Sequence, residues 1–250
     1  MTARAKDWSI QAGMVVVLLA VWEVGVRYGV IDPFYLPAPS RVGGALWELF
    51  ASGEIWTHIE ATFGAAMLGL LFGSVIGVVL AVLAAASRPA LLLLEPFMTA
   101  LNAVPRIVLA PLLIIWFGIG IASKVALAVL LVAVLMFFAV FTAIAQVDRR
   151  LVDRVRTLGC GRRLLLTEVY IPSVTMVMLS SLKVAVGFAF TGAIVGEFVA
   201  SSRGLGYLLS FAQSSFNAAL SLALVVLIMV FVLVLLGIAG GIERRLLRWR

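Results

Sequence analysis

The chain has 250 residues, 64% hydrophobic and only 12% charged, with a formal net charge of +7. That charge content is about half that of an ordinary soluble domain, which argues against a water-soluble globular protein. One cysteine, Cys160, and one histidine, His58, exclude an internal disulfide framework and leave no ligand set for a metal.

Apolar runs long enough to cross a hydrocarbon layer, roughly 20 residues each, recur along the chain. The first predicted span covers 13–30 and is weakened by Glu23. Arg4 and Lys6 precede its apolar run, but Glu23 and Arg27 follow where a signal peptide would carry small residues, so it reads as uncleaved. Pro33, Pro37 and Pro39 then break the chain. Val42, Leu46, Leu49 and Phe50 fall at helical spacing and predict a short amphipathic helix. His58 follows it and is expected at the membrane interface.

Span two, 61–86, carries no charge. Gly69, Gly73 and Gly77 share one of its faces, where small residues let helices approach closely. Whether the partner belongs to this chain or to a second copy is open at this point. Span three, 91–117, contains Glu95, Pro96, Asn102, Pro105 and Arg106 and is expected to be kinked. A turn over 118–124 leads to an uncharged span four, 125–146. Span five, 173–198, carries Lys183 and Glu197. The segment 200–217 holds Gly204-Leu205-Gly206 and reads as a loop with a short re-entrant or interfacial helix. Span six covers 218–240 and is followed by a basic tail.

Between spans four and five lies VDRRLVDRVRTLGCGRRLLLTEVYIP, residues 147–172, with six arginines. Leu151, Val155 and Leu158 form an apolar stripe on a basic helix. Gly159 follows where a left-handed helix stop is expected, 162–170 predicts a second helix, and Pro172 suits the first turn of span five. Six spans put both termini on one side. That side carries thirteen Lys and Arg residues, while the opposite loops carry only Arg41, Lys124 and Arg203. The termini and the 147–172 segment are therefore expected in the cytoplasm, and the charge is a topology signal that leaves no role for nucleic acid.

Arg106 and Lys183 lie well inside predicted spans, where a basic residue costs about 2.5–3.5 kcal/mol unless it faces protein or a wet cavity. With Asn102 they are candidates to line a path for an anionic solute. The competing reading is structural: an ion pair with Glu95, Glu197 or Glu23, or extension toward an interface. Lys183 and Glu197 are roughly 21 Å apart along one helix and cannot pair with each other. No metalloprotease, serine-hydrolase or phosphate-loop motif is present, so no catalytic residue is assigned. Three readings of the whole remain: a permease driven by a soluble partner, a stand-alone secondary transporter using Glu197, Lys183 or Arg106, and a membrane anchor that recruits a cytoplasmic protein.

The 147–172 segment resembles the EAA loop of permease subunits in ATP-driven, binding-protein-dependent importers. Asp153-Arg154-Val155 stands at the E-A-A positions, Gly159 is in register, and Val169-Tyr170-Ile171-Pro172 matches the closing I-x-L-P. The acid is shortened and both alanines are replaced. LPAPSRV after span one, VPRIVLAPLLIIWFGIGIASK in spans three to four, GEFVASSRGLGYLL after span five and Trp249 are similar to the nitrate/sulfonate/taurine class of these permeases.

The resemblance implies an all-α polytopic membrane protein forming a single permease domain over 1–250, with a MetI-like core and one extra N-terminal span. It implies residence in the cytoplasmic (inner) membrane and a second permease copy, as a homodimer. Two cytoplasmic ATPases would hold ATP and Mg, and an external solute-binding protein would deliver the solute. Asp153, Leu158, Gly159, Val169, Ile171 and Pro172 are then the expected ATPase-coupling residues. The chain itself is expected to bind no cofactor and to be no enzyme. The solute class implied is an anion such as a sulfonate, taurine or nitrate, with uncharged or aromatic vitamin precursors also carried by related permeases.

Overall fold

A computed structural model describes residues 3–159 and 161–246; Cys160 and Trp249 lie outside the described residues. Every regular element among them is helical. In chain order these are α1 (Ala3–Arg27), α2 (Pro39–Ala51), α3 (Ile55–Ala86), α4 (Arg88–Ala103), α5 (Arg106–Phe117) and α6 (Ile121–Ala145), then α7 (Arg149–Thr157), α8 (Arg162–Leu165), α9 (Ile171–Val199), α10 (Leu205–Ser214) and α11 (Ala218–Leu246). A π-helical turn, Leu166–Tyr170, joins α8 to α9.

Five segments are long and apolar enough to cross a bilayer: 10–27 of α1, all of α3, all of α6, 163–199, and 218–245 of α11. The pair α4–α5 meets the same criterion only together, bent by 109° at its junction. Counting that pair as one crossing gives six.

The third crossing differs from the kinked span expected from sequence. Val104 precedes Pro105, and the proline ring disfavours helical geometry at the residue before it. Val104 (φ −70°, ψ 129°) and Pro105 (φ −58°, ψ 123°) are both extended. Two consecutive extended residues turn the chain, whereas Pro96 and Pro111 are accommodated inside α4 and α5.

The bundle is built around α6, of which 56% is buried against 6% of the α1 span. Close approach explains why. A Cβ on Gly69 would fall on Ala128, one on Gly73 on Val132, and one on Gly77 on Ala133 and Met136, so α3 lies against α6 in parallel. Gly192 meets Ala128 and Gly196 meets Lys124, which sets α9 antiparallel to α6 and beside α3, both helices meeting at Ala128. The glycine face of α3 is thus packed within the chain. Phe137, Phe190, Val132 and Met136 fill the core.

Glu23, the residue that weakened span one in the sequence, ties α1 to the rest. Its carboxylate accepts the Ser40 N–H at 3.0 Å and the Ser40 hydroxyl at 2.9 Å, and it pairs with Arg27 at 2.8 Å. A carboxylate from one helix thus satisfies an orphan N–H in the first turn of α2.

Candidate functional site

The two ends of the bundle hold polar groups in different ways. At the α10 end, the turn before α10 is strapped to three long helices. Glu197 of α9 is 1% exposed. Its carboxylate accepts the Gly206 N–H at 3.0 Å, and the Thr62 hydroxyl of α3 donates to it at 2.8 Å. Thr62 in turn accepts the Leu205 N–H at 2.9 Å, and His58 Nδ1 accepts the Gly204 N–H at 3.1 Å. Lys124 of α6 donates to the Arg203 carbonyl at 3.2 Å. The first N–H groups of α10 are therefore capped from α3 and α9, as buried donors require. Gly204 has φ +116°, and a Cβ there would fall on the Glu197 carboxylate.

The structure corrects the placing of Lys124 and gives partners to His58, Glu197 and Glu23. Lys124 sits inside α6 and is 7% exposed, not in a loop. His58 is part-buried, with its ring stacked on Tyr207 at 5.9 Å. Glu197 is taken by Thr62 and Gly206 and Glu23 by Arg27 and Ser40, so neither pairs with Lys183. Thr62, Gly204 and Gly206 were missed as members of one cluster. Hydropathy carries no signal for contacts between residues about 140 positions apart.

At the α7 end, a cavity of about 470 Å³ opens between α4, α6 and α9. Its wall is apolar apart from Asn102, Thr142, Gln146 and Ser181. Asn102 also borders a second space of about 60 Å³ reaching Leu109, Leu130, Leu131 and Phe188. Asn102 thus stands two residues before the helix break and between two chambers. Thr142 and Gln146, one turn apart in an otherwise apolar span, were a legible signal that hydropathy averaging hid. The side chain of Arg106 lies outside the described residues.

The basic segment 147–170 forms an elbow. Asp148 caps α7 by accepting the Arg150 N–H at 2.8 Å. Gly159 has φ +80°, and no atom lies within 4 Å of where its Cβ would be. Val152, Leu165 and Val169 form a small inner cluster with Val147, Val155 and Tyr170 around it. Leu151, and Leu158 just past the end of α7, the latter 80% exposed, are left outside, and Asp153 is exposed on the other side of the helix.

The second helix of the elbow is not a separate element. It runs through the π turn into α9, where the Ile171 N–H reaches the Leu166 carbonyl. Widening the helix there accommodates Pro172, which has no N–H to continue the ladder. Pro172 is the second residue of α9 and stands in its first turn, as expected from the sequence. Val169 is buried, while Ile171 is 57% exposed.

Lys183 makes no ion pair among the described residues; its ammonium lies beside Gly240 of α11. Asn102 and Lys183 border different spaces on opposite sides of α9 and are not brought together.

The family model described as "Binding-protein-dependent transport system inner membrane component" matches residues 73–248. The riboflavin transport system permease protein of Chloroflexus aurantiacus is 34% identical over 232 residues, covering 93% of this chain and 87% of that protein. A putative aliphatic sulfonates transport permease protein of Bacillus subtilis is 30% identical over 238 residues, 94% and 85% of the two chains. A crystal structure of an amino acid ABC transporter superposes with a TM-score of 0.67 at 18% identity, over 80% of this chain and 97% of that one. At that identity the likeness is one of fold.

Proposed function

We propose how this chain moves a solute from one premise: it belongs to the family of inner membrane components of binding-protein-dependent transport systems. It is the permease component of an ABC importer, working with an ATPase and a solute-binding protein. The proposal is that the Asn102 cavity is the cytoplasmic half of the translocation pathway and that the elbow at Gly159 drives it.

The cavity carries this reading. A space of about 470 Å³ lies at the broken helix pair, between α4, α6 and α9. Broken helices at membrane depth are tolerated where they line a cavity. The elbow runs through the π turn into the same α9, a helical segment continuous from 163 to 199, so a force on the elbow tilts a wall of the cavity. Asp153, Leu158, Gly159, Val169, Ile171 and Pro172 are assigned to this coupling. Leu151 and Leu158 dock in the ATPase, and Val169 with Pro172 holds the elbow on α9.

ATP and Mg belong to two copies of the ATPase, two permease copies assemble as a homodimer, and the α7 end with both termini faces the cytoplasm. The wall offers neutral hydrogen-bonding groups from Asn102, Thr142, Gln146 and Ser181. These serve the oxygens of a sulfonate-class anion and the heteroatoms of an uncharged vitamin precursor alike. Discrimination is therefore assigned to the external binding protein.

Glu197 is not assigned as a proton carrier. Its carboxylate is buried and held by Thr62 and Gly206, which ties it to capping α10.

Cysteines placed at Asn102, Thr142 and Ser181 in a Cys160→Ser background test the pathway. In proteoliposomes with the ATPase and binding protein, hydrophilic thiol reagents are expected to label all three, with rates that change on adding ATP. Uptake supported by an ion gradient in the absence of any ATPase would refute the proposal, and so would inert cysteines at all three positions.

A further inference from the structure

Lys183 and Arg244 converge on Gly240. The Lys183 ammonium lies about 3.3 Å from where a Gly240 Cβ would be, and Arg244 Nε donates to the Gly240 carbonyl at 3.2 Å. No acid offsets them: among the described residues the only ion pair is Arg27–Glu23, so the neighbouring Glu243 engages neither. Two cations meeting at one backbone position without a counter-charge call for an anion from elsewhere.

The anion's setting is a groove of about 500 Å³ between α9 and α11. It runs from Lys183 past Val184 and Gly187 to Thr191, with Val232 and Leu236 on the facing helix. Lys183, Gly187 and Thr191 recur every fourth residue and so line one face of α9. Nothing lies within 4 Å of a Cβ on Gly187, so the middle of the groove is open. Thr191 has its hydroxyl donated to the Gly187 carbonyl at 2.8 Å, leaving an essentially apolar trough with a cationic end. The cationic end is the one toward α7, because the side chain of Lys183 leans toward the start of α9 and Gly240 and Arg244 are near the end of α11.

We propose that this groove seats one anionic phospholipid, its phosphate between Lys183 and Arg244 and an acyl chain along Gly187, Val232 and Leu236. Basic pockets between membrane helices on the cytoplasmic side recognise anionic headgroups in this way. The reading rests on the orientation proposed above only for naming the leaflet as cytoplasmic. It also accounts for why Lys183 is absent from the Asn102 cavity: its charge serves the lipid and not the solute.

The test is native mass spectrometry of the full-length chain released from nanodiscs of equal phosphatidylglycerol and phosphatidylcholine. The wild type is expected to retain phosphatidylglycerol preferentially. Each cation adds about fivefold to retention, so Lys183→Gln or Arg244→Gln lowers the preference about fivefold and Lys183→Arg keeps it. Gly187→Leu retains both charges but fills the trough, and should also lose the lipid. Equal retention of the two lipids by the wild type would overturn the proposal, as would undiminished phosphatidylglycerol in both glutamine variants. Displacement of phosphatidylglycerol by a millimolar soluble alkylsulfonate would likewise overturn it and make the groove a solute station. Residue accessibility in the Asn102 cavity is measured separately, so failure of the lipid site leaves the pathway reading standing, and the converse holds.

Discussion

The α10 end and the α7 end of this bundle use polar residues for opposite purposes. At the α10 end, Glu197, Thr62 and His58 are buried or part-buried and each is spent on a backbone N–H of Gly204 to Gly206, where α10 begins. At the α7 end, Asn102, Thr142 and Gln146 are exposed around an open cavity, and Leu158 stands almost free. Buried polar groups that are fully satisfied make a rigid joint, because breaking any one leaves an orphan costing about 1–3 kcal/mol. Polar groups left open are available for a solute, and an apolar knob left open is available for a partner. One end holds the helices in register while the other is free to move against it.

Gly204→Val breaks the rigid end with the largest effect. The position has φ +116°, and its Cβ would land on the Glu197 carboxylate. A β-branched residue resists positive φ, and the overlap adds an overpacking cost of about 1–3 kcal/mol. Nearly all folded, monodisperse protein is expected to be lost in detergent size-exclusion chromatography. A normal yield would mean that the pin is not what holds α10.

Gly159→Val is the contrasting change at the mobile end. Its φ is +80°, but open space surrounds the position, so only local backbone geometry is strained, by about 1–3 kcal/mol. Insertion should be retained and the melting temperature should fall only by what that local strain costs, while ATP-driven uptake falls by roughly tenfold, about 1.4 kcal/mol. Full uptake would remove Gly159 as the joint. A variant that instead fails to insert would erase the contrast between the two ends.

Much of the fold was legible because lipid imposes a simple code. Uncharged runs marked α3 and α6, four-residue glycine spacing marked the face of α3 that meets α6, and Gly159 marked the end of the first elbow helix. The misreadings share one cause. Lys124 looks peripheral because it stands close to a polar stretch, yet it is claimed by a turn 79 residues away in the chain. The sharp break at Val104–Pro105 was read as a kink, since sequence shows a proline but not that two successive residues become extended. Hydropathy sees each helix against lipid, whereas the site is made where helices meet.

The smallest effect is expected from Leu158→Ser, and it is the sharpest on the difference between the two ends. Leu158 is 80% exposed and lies outside the inner cluster of Val152, Leu165 and Val169. Its removal should therefore change stability by no more than about 0.5 kcal/mol. If the exposed face of α7 is an ATPase contact, the loss appears only in the assembled transporter. Uptake should fall about threefold, and ATPase affinity for the permease should weaken by a similar factor, corresponding to burial of part of one leucine side chain. The isolated permease should melt unchanged. Val152→Ser should do the reverse, lowering the melting temperature through the inner cluster before any effect on docking. Identical behaviour of the two variants would show that α7 has no outward working face, and the elbow would then be as rigid a joint as the pin at the other end.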